Sequence, residues 1–303
     1  MELVAAMLRA LDALDALEAR LVWRTAWVAL SVVGLLAFRF SFFRAFVLQG
    51  RLRTPVALSR LPGLALLHLE VSKRCWTWFY LVGAVHSLVV LLAALLVQSH
   101  PIVQAALQFL QSSSDHVTVQ SDTILFLALF AVHVARRFLE SALVTQFGDA
   151  KMHAGVFAVG CFHYMAATLS ALSDPAAVTP KSDTIMNRVL AVLGLAVYAV
   201  ASYHQNVCNS LIARQKRANG MKYVIPRGDW FDHVRCPLYS TDILLYVAFL
   251  LVTGGINVML YFTFVWVVVN QTLLAKFNSE WSDAKFRDRK HEFPRWKLLP
   301  YVW

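Results

Sequence analysis

A run of hydrogen-bonding side chains ends one of the longest apolar segments of the chain and leads into a basic cluster. The run comprises Tyr203, His204, Gln205, Asn206, Cys208 and Asn209, and the basic residues after it are Arg214, Lys216 and Arg217. Polar and ionisable groups inside an apolar segment normally face a protein interior or a water-filled cavity. Because basic side chains at its end add attraction for negative charge, we interpret the run as lining a site for a polar, anionic ligand.

A second polar group, Arg136, Arg137 and Glu140, ends another apolar segment. Arg137 and Glu140 are three residues apart, which puts them on one face of a helix and predicts an ion pair. A guanidinium recognises phosphate through two parallel hydrogen bonds, so the group is one candidate for phosphate binding in an open cavity. The alternative is structural: the arginines extend to the membrane surface and the ion pair only stabilises the helix end.

The loop after the basic cluster combines a turn with aromatic and acidic side chains. Pro226 and Gly228 favour the turn. Asp229 beside Trp230, with Asp242 farther along, offers acceptors for the sugar or amide groups of a cofactor. The chain has no GxGxxG or P-loop motif, so a nucleotide would be bound without a Rossmann unit. Its four cysteines form no CxxC pair, and we predict neither a zinc site nor a disulfide.

Composition shows what kind of protein must position these groups. Of the 303 residues, 58% are hydrophobic and 15% are charged, against about 45–50% and about 25% in an ordinary soluble domain. A soluble fold of this size could not bury so much apolar surface, so the excess must face lipid. The composition predicts an all-α, polytopic integral membrane protein and excludes a soluble enzyme, a disordered chain and a collagen-like fibre.

The apolar segments predict about seven transmembrane helices, because a crossing needs about 20 mostly apolar residues. A count of six remains open if the short sixth segment and the seventh form a re-entrant pair. The predicted spans are Trp23–Phe43, Trp76–Gln98, Thr123–Phe147, Met152–Leu172, Arg188–Ala213, Thr241–Gly254 and Ile256–Lys276.

Basic residues set the predicted orientation. Lys and Arg concentrate in the loops after the first and fifth spans and in the C-terminal tail, whereas residues 99–121 contain none. The positive-inside rule then places the C-terminus in the cytosol and the N-terminus outside it. Much of the net charge of +10 is therefore an orientation signal, and we predict no nucleic-acid partner. Apolar residues every three or four positions predict an amphipathic helix over residues 1–22, followed by one membrane domain, 23–303.

Several of these motifs resemble those of the steroid 5-alpha-reductase family, and within it the polyprenol reductase branch. Ile225–Phe231 is similar to the branch's IPxGDWF signature, and Tyr203–Cys208 contains a segment similar to its HQxxC. Arg136–Glu140 resembles RRxxE, and Val71–Tyr80 resembles VPKR followed by FY. The ending, Leu298–Trp303, resembles Leu-x-Pro-Phe-x-Phe.

The resemblance implies a seven-helix enzyme of the endoplasmic reticulum membrane that uses NADPH and no metal. The implied substrate is a long-chain polyprenyl lipid reduced at its α-isoprene double bond, which gives the dolichol-type lipid used in protein N-glycosylation. We further expect Arg137, His204 and Lys216 to face one shared hollow. The residues implied to contact NADPH are Arg137, His204, Asn209, Lys216, Tyr223, Asp229, Trp230, Tyr239, Asp242 and Arg295.

The chemistry of the reduction restricts the substrate. Hydride addition to a double bond needs an electron sink, and an alkene conjugated to a carbonyl provides one because a positioned donor can stabilise the enolate oxygen. We therefore expect the polyprenyl aldehyde as the immediate substrate, with the alcohol as its nominal precursor. The resemblance places Glu70 where the steroid enzymes bind the substrate carbonyl. A buried, protonated Glu70 or Tyr80 would bind the oxygen, and Tyr164 is a third catalytic candidate.

Other functions remain open at this point. One is the reduction of 3-oxo steroids typical of the wider family. Another is an isoprenoid or phospholipid methyltransferase of the endoplasmic reticulum, since Arg235–Tyr239 resembles a degraded Arg-His-Pro-x-Tyr motif. A third is a non-catalytic membrane scaffold or sterol sensor.

Overall fold

A computed structural model describes residues 2–48, 52 and 69–303. Two short strands, β1 (Glu70–Ser72) and β2 (Lys151–His153), form one antiparallel pair. Within these ranges the α-helices are α1 (Glu2–Arg39), α2 (Ser41–Val47), α3 (Trp76–Leu96), α4 (Pro101–Gln111), α5 (Ser121–Leu139), α6 (Ala154–Leu172), α7 (Ile185–Ala218), α8 (Pro237–Val252) and α9 (Val258–Lys285). The prediction of an all-α, polytopic membrane protein is confirmed.

Each predicted span falls on a helix. Among the described residues, five helices are long and apolar enough to cross a membrane: α3, α6, α7, α9 and the part of α1 from Arg20 to Arg39. The third predicted span, α5, carries Asp122, Arg136 and Arg137, and the sixth, α8, has only 16 residues. These two helices contribute polar and buried positions to the interior, for which a continuous apolar surface is not required.

The N-terminal part of the chain forms one helix without a break. Helix α1 includes the predicted amphipathic segment from Glu2 and the first predicted span as far as Arg39, and α2 begins at Ser41 within the last residues of that span. The side chains of the first 19 residues, which would form the amphipathic face, lie outside what the structure describes, as do Arg51, Arg53 and Arg60 of the first loop. The division into residues 1–22 and 23–303 therefore stays a prediction.

The strand pair aligns α3 with α6. Glu70 of β1 pairs with His153 of β2, and His153 also caps α6 by accepting a hydrogen bond from the Gly155 N–H at 2.9 Å. The two helices then pack closely, because a Cβ at Gly83 would lie only 2.7 Å from the Cβ of Tyr164. This close approach brings aromatic side chains of α3 and α6 together.

Helices α7 and α8 also pack closely, where the first turns of α7 meet the last turn of α8. A Cβ at Gly194 would lie 2.9 Å from the backbone nitrogen of Val252. The buried aromatic core lies between α5 and α8, where the rings of Phe126, Phe130 and Phe249 are fully buried and their centroids lie 5.4–5.7 Å apart. Polar side chains of α5, α7 and α8 lie beyond this core, and these three helices form most of the site.

Candidate functional site

Glu140 lies where α5 widens into a π-helical turn, Glu140–Val144. Its side chain is 3% exposed and forms ion pairs with both Arg136 and Arg137. The pair between Arg137 and Glu140, which the three-residue spacing predicts, is therefore present. Single π-turns within helices often mark functional sites, since they redirect side chains by an extra residue.

Helix α7 completes the surroundings of this carboxylate. The Asn206 side-chain amide donates to one Glu140 oxygen at 2.9 Å. Asn209, which is 7% exposed, donates to the other at 3.5 Å. Asn209 thus lies against the group that contains Arg137, and its contact with a cofactor stays a prediction.

A second branch of the network extends to α8 and α9. Arg136 donates to the Gln205 side chain, and Gln205 in turn donates to Asp242. The other Asp242 oxygen accepts a hydrogen bond from Gln271 Nε2 at 2.9 Å. The network joins α5, α7, α8 and α9, and it contains two arginines and two carboxylates. We refer to these side chains, with Asn206 and Asn209, as the central polar network.

The two predicted catalytic tyrosines, Tyr80 and Tyr164, lie together beside this network. Arg137 Nη2 donates to the Tyr80 hydroxyl oxygen at 3.3 Å, and its guanidinium lies 5.3 Å from the centroid of the Tyr80 ring. The Tyr164 ring lies 5.5 Å from that of Tyr80. Because the Tyr80 oxygen accepts from a cation, its own hydroxyl hydrogen remains available to a substrate oxygen.

Glu70 has different surroundings from these tyrosines. Its carboxylate lies 3.4 Å from Lys151 Nζ, and 36% of its side chain is exposed. The burial that we expected at Glu70 is therefore absent, because β1 lies at the edge of the helices before α3 begins. A catalytic role for Glu70 stays a prediction.

His204, Asp229 and Trp230 form a second group. His204 Nδ1 lies 2.8 Å from an Asp229 oxygen, and the imidazole stacks on Trp230 with centroids 4.8 Å apart. Positive φ angles of 91° at Gly228 and 51° at Asp229 produce the predicted turn. Burial raises the pKa of the Asp229 carboxyl, but hydrogen bonds from the Cys208 thiol, the Trp230 N–H and His204 outweigh it and hold that pKa below its ordinary value.

A cavity of about 250 Å³ lies between the loop before α8, the end of α7 and the C-terminal segment. Its basic side chains are Lys73, Lys216 and Arg235, and no Asp or Glu is among the described residues that line it. Tyr223 and Tyr239, both implied cofactor residues, also line it. Many of its other lining residues are aromatic: Trp76, Phe147, Phe231, Trp281, Phe286 and Phe293.

The expectation of one hollow shared by Arg137, His204 and Lys216 is not met by this cavity. Lys216 lines it, and its Nζ donates to the Gln146 carbonyl at 2.7 Å. Arg137 lies in the central polar network and His204 lies against Asp229, and neither is among the cavity's lining residues. The three side chains do not share the cavity because His204 and Lys216 lie about three helical turns apart on α7 and Arg137 lies on α5.

The remaining implied contact, Arg295, lies in the C-terminal segment. Its side chain is exposed, and its guanidinium lies 4.8 Å from the Trp296 ring centroid. It is not among the residues that line the cavity. Its role toward a cofactor stays a prediction.

The structure adds Gln271, Lys73 and Arg235 to the residues expected at the site, and it gives Gln205, a member of the predicted polar run, its partners. Gln205 and Gln271 connect to Asp242 in the central polar network, and Lys73 and Arg235 line the cavity. Lys73 and Gln205 fall within motifs quoted above, so the sequence already indicated that they lie near the site. Gln271 carried no such signal, because a single glutamine in a long apolar segment most often only contributes to helix packing.

Comparison with known proteins gives a consistent result. Residues 150–303, half of the chain, match the family model described as 3-oxo-5-alpha-steroid 4-dehydrogenase. This range contains α6–α9, the turn at Asp229 and most of the cavity. The central polar network has its α7, α8 and α9 members within the range, whereas its α5 members precede it.

Individual relatives extend the similarity beyond residues 150–303. A Xenopus laevis protein named polyprenal reductase is 31% identical over 234 residues, covering 72% of this chain and 73% of the relative. Its Xenopus tropicalis counterpart is 30% identical over 249 residues, covering 77% and 80%. An Arabidopsis thaliana protein named polyprenal reductase 1 is 25% identical, with 95% of this chain and 100% of the relative covered.

Proposed function

The chain belongs to the 3-oxo-5-alpha-steroid 4-dehydrogenase family, and on that premise we propose that it reduces the α-isoprene double bond of polyprenal in the endoplasmic reticulum membrane. It is an oxidoreductase acting on carbon–carbon bonds. The observation that carries the choice of substrate is the similarity to relatives named polyprenal reductase over most of their length. The methyltransferase and scaffold alternatives lose support, because the family match covers the very loop that suggested a methyltransferase motif.

We propose NADPH as the reductant, and the cavity fits part of it. Lys73, Lys216 and Arg235 suit phosphate groups, with Arg235 also paired to Asp283 outside the cavity lining at 2.7 Å, and the aromatic rings suit a flat base. A volume of about 250 Å³ is below the roughly 300–1,000 Å³ of pockets that enclose whole ligands. Lys73, Lys216 and Arg235 would therefore hold a phosphate-bearing portion, while Asn209 and Asp242 of the central polar network would bind another portion.

When bound, NADPH would supply hydride to the β carbon of the conjugated aldehyde. The chain's own residues would bind and polarise the aldehyde oxygen. Tyr80 is the best placed of the predicted donors, because Arg137 donates to its oxygen and so favours donation of the phenolic hydrogen. Both side chains are largely shielded from water, which strengthens such hydrogen bonds.

The test uses purified protein in lipid nanodiscs with one substrate at a time. We expect turnover of polyprenal with NADPH, no turnover of polyprenol without an added oxidant, and little turnover of a 3-oxo-Δ4 steroid. NADPH carrying deuterium at C4 should deliver it to the β carbon, as read by mass spectrometry. Reduction of the alcohol without any aldehyde formed would contradict the aldehyde mechanism, and faster turnover of the steroid would contradict the choice of substrate.

A further inference from the structure

A buried polar pair joins α6 and α8 and has no part in the central polar network. His163 Nε2 lies 2.6 Å from the Tyr246 hydroxyl. His163 Nδ1 is buried and has no hydrogen-bond partner among the described residues. Buried polar atoms in folded proteins nearly always have a partner, so an unpaired one indicates that a ligand or a water molecule supplies it.

The His163–Tyr246 pair leaves one donor hydrogen without an acceptor whichever neutral tautomer the imidazole adopts. A neutral histidine and a tyrosine together carry one N–H and one O–H hydrogen. If Tyr246 donates to Nε2, the hydrogen on His163 Nδ1 has no acceptor. If Nε2 donates to the Tyr246 oxygen, the phenolic hydrogen has no acceptor among the described contacts. One donor hydrogen of the pair is left over in both cases, which fits an oxygen atom of a ligand.

The surroundings of the pair are aromatic and include two further tyrosines. The His163 ring meets the edges of Trp27 and Tyr164 at centroid distances of 5.6 and 5.0 Å. The Tyr164 ring contacts both groups, with its centroid 5.0 Å from that of the His163 imidazole and 5.5 Å from that of the Tyr80 ring. Tyrosines of α3, α6 and α8 therefore belong to one buried aromatic cluster, where a hydrogen bond to a developing negative charge is strong.

Each outer tyrosine has a nitrogen partner behind its hydroxyl. Arg137 donates to Tyr80 at 3.3 Å, and His163 contacts Tyr246 at 2.6 Å. We propose that the Tyr246–His163 pair is a second hydrogen-bond donor to the aldehyde oxygen and acts together with Tyr80 and Arg137. This inference rests on the proposed function, because the aldehyde supplies the acceptor oxygen.

The step balances without a proton from either tyrosine. The β carbon forms a C–H bond with hydride from the reduced nicotinamide, which is oxidised. The electron pair of the carbon–carbon double bond shifts toward the carbonyl carbon, and the carbonyl π pair moves onto oxygen to give an enolate. Tyr80 and the Tyr246–His163 pair donate hydrogen bonds to that oxygen. A proton from water then reaches the α carbon and restores the carbonyl.

The variant that tests the proposal is Tyr246→Phe, with Tyr198→Phe as a matched control. Both tyrosines are buried and both pack against Phe249, at 5.4 and 6.1 Å. The Tyr198 hydroxyl already donates to the Leu129 carbonyl at 2.9 Å and belongs to no site described above. We expect Tyr246→Phe to lower kcat for polyprenal on the order of 100-fold, with the Kd for NADPH unchanged. Tyr198→Phe should retain kcat within about twofold.

Two substitutions at His163 separate positioning from packing. His163→Gln keeps a polar group near the Tyr246 hydroxyl, whereas His163→Leu removes it. We expect the glutamine variant to retain several times the kcat of the leucine variant at similar thermal stability. Equal loss in both, or kcat for Tyr246→Phe within about twofold of the control, would overturn the inference. Wild-type protein that does not reduce polyprenal would instead refute the proposed function.

If Tyr246→Phe does not fold, ligand binding can test whether the pair donates to the aldehyde oxygen. Polyprenal and a polyprenyl hydrocarbon of equal length are compared for their effect on the apparent melting temperature without NADPH. We expect the aldehyde to raise it more than the hydrocarbon does, and this difference to shrink in His163→Leu, because the aldehyde oxygen also accepts from Tyr80 and only part of the difference comes from the pair. Equal shifts, or the same difference in wild type and His163→Leu, would mean that a water molecule satisfies the pair and would refute the inference.

Discussion

Two groups of charged side chains in this protein differ in how their positive and negative charges are combined. The central polar network contains Arg136 and Arg137 with Glu140 and Asp242, so its positive and negative charges balance. The cavity at the end of α7 is lined by basic side chains and by no described acid. Buried charges that balance one another hold helices in place, whereas a cavity lined by several basic side chains attracts an anion. Of these basic side chains, Arg235 also pairs with Asp283, which lies outside the cavity lining. The difference indicates that the charges of the network chiefly hold the helices around the site, whereas the cavity attracts the anionic portion of a ligand.

The largest effect should come from removing a charge within the network. Glu140→Gln leaves two buried guanidinium groups without their carboxylate, and breaking a buried ion pair in this way costs about 3–5 kcal/mol. Unfolding in mixed micelles with increasing dodecyl sulfate measures the loss. The matched control is Glu280→Gln on α9, because Glu280 is 54% exposed and only pairs with Lys276 at 3.5 Å. Its expected cost is below about 1 kcal/mol.

That outcome would support a structural role for the network. Equal stability of the Glu140 and Glu280 variants would contradict it and would indicate that the network serves ligand binding instead. A second change, Arg136→Gln in the Glu140→Gln background, sharpens the test, since it restores part of the charge balance and should recover part of the lost stability.

A smaller and different effect is expected at the cavity. Lys216→Gln should leave stability nearly unchanged but raise the Kd for NADPH about 10–100-fold, the equivalent of one charge-assisted hydrogen bond. Quenching of tryptophan fluorescence by NADPH measures it, since Trp76 and Trp281 line the cavity. Lys222→Gln, at an exposed position outside the cavity lining, is the control. Equal affinities of the two variants would remove the cavity from the cofactor site.

The smallest effect concerns the C-terminal segment that closes the cavity. Glu292 accepts hydrogen bonds from Arg289 and, at 2.9 Å, from Arg227 in the loop before α8. The bond from Arg289, followed by the one from Arg227, lowers the pKa of Glu292 to about 2. A lowered carboxyl pKa stabilises the folded form above the ordinary value of 4.5, and the contribution is lost as pH falls from there toward 2.

We therefore expect the segment to stay attached at pH 4 and to loosen as pH approaches 2. Cleavage by pepsin within residues 286–303 measures this, and it should rise more steeply between pH 4 and pH 2 in the wild type than in Glu292→Gln. The variant should already be cleaved faster at pH 4. Identical pH profiles for the two proteins would show that this contact does not hold the segment.

Much of the fold was predictable because it depends on the length of apolar segments. Each of the seven predicted spans coincides with a helix to within a few residues at most ends. The ends differ most in the first span, because α1 already begins at Glu2; the end of the third span differs because the helix gives way to a π-turn at Glu140. An apolar pattern could not show that turn, because it arises where α7 supplies Asn206 and Asn209 to the same carboxylate.

The sequence predicted which residues belong to the candidate site better than it predicted which of them contact one another. The ion pair of Arg137 with Glu140 is set by three-residue helical spacing, which any helix provides. The contact of Tyr80 with Tyr164 has no such local cause, since it needs α3 and α6 to meet at Gly83. For the same reason the exposure of Glu70 and the connection of Gln271 to Asp242 were missed.

The sequence alone determined that this is a helical membrane protein with polar groups inside its spans, and its motifs carried the resemblance to a reductase family. These properties follow from composition, periodicity and short spacings, which depend only on residues close to one another in the sequence. Only the tertiary structure decided that the polar residues divide into a balanced network, a histidine–aspartate group and a basic cavity. That division depends on which helices touch, because charges and hydroxyls distant in sequence interact only once packing brings them within a few ångströms of one another.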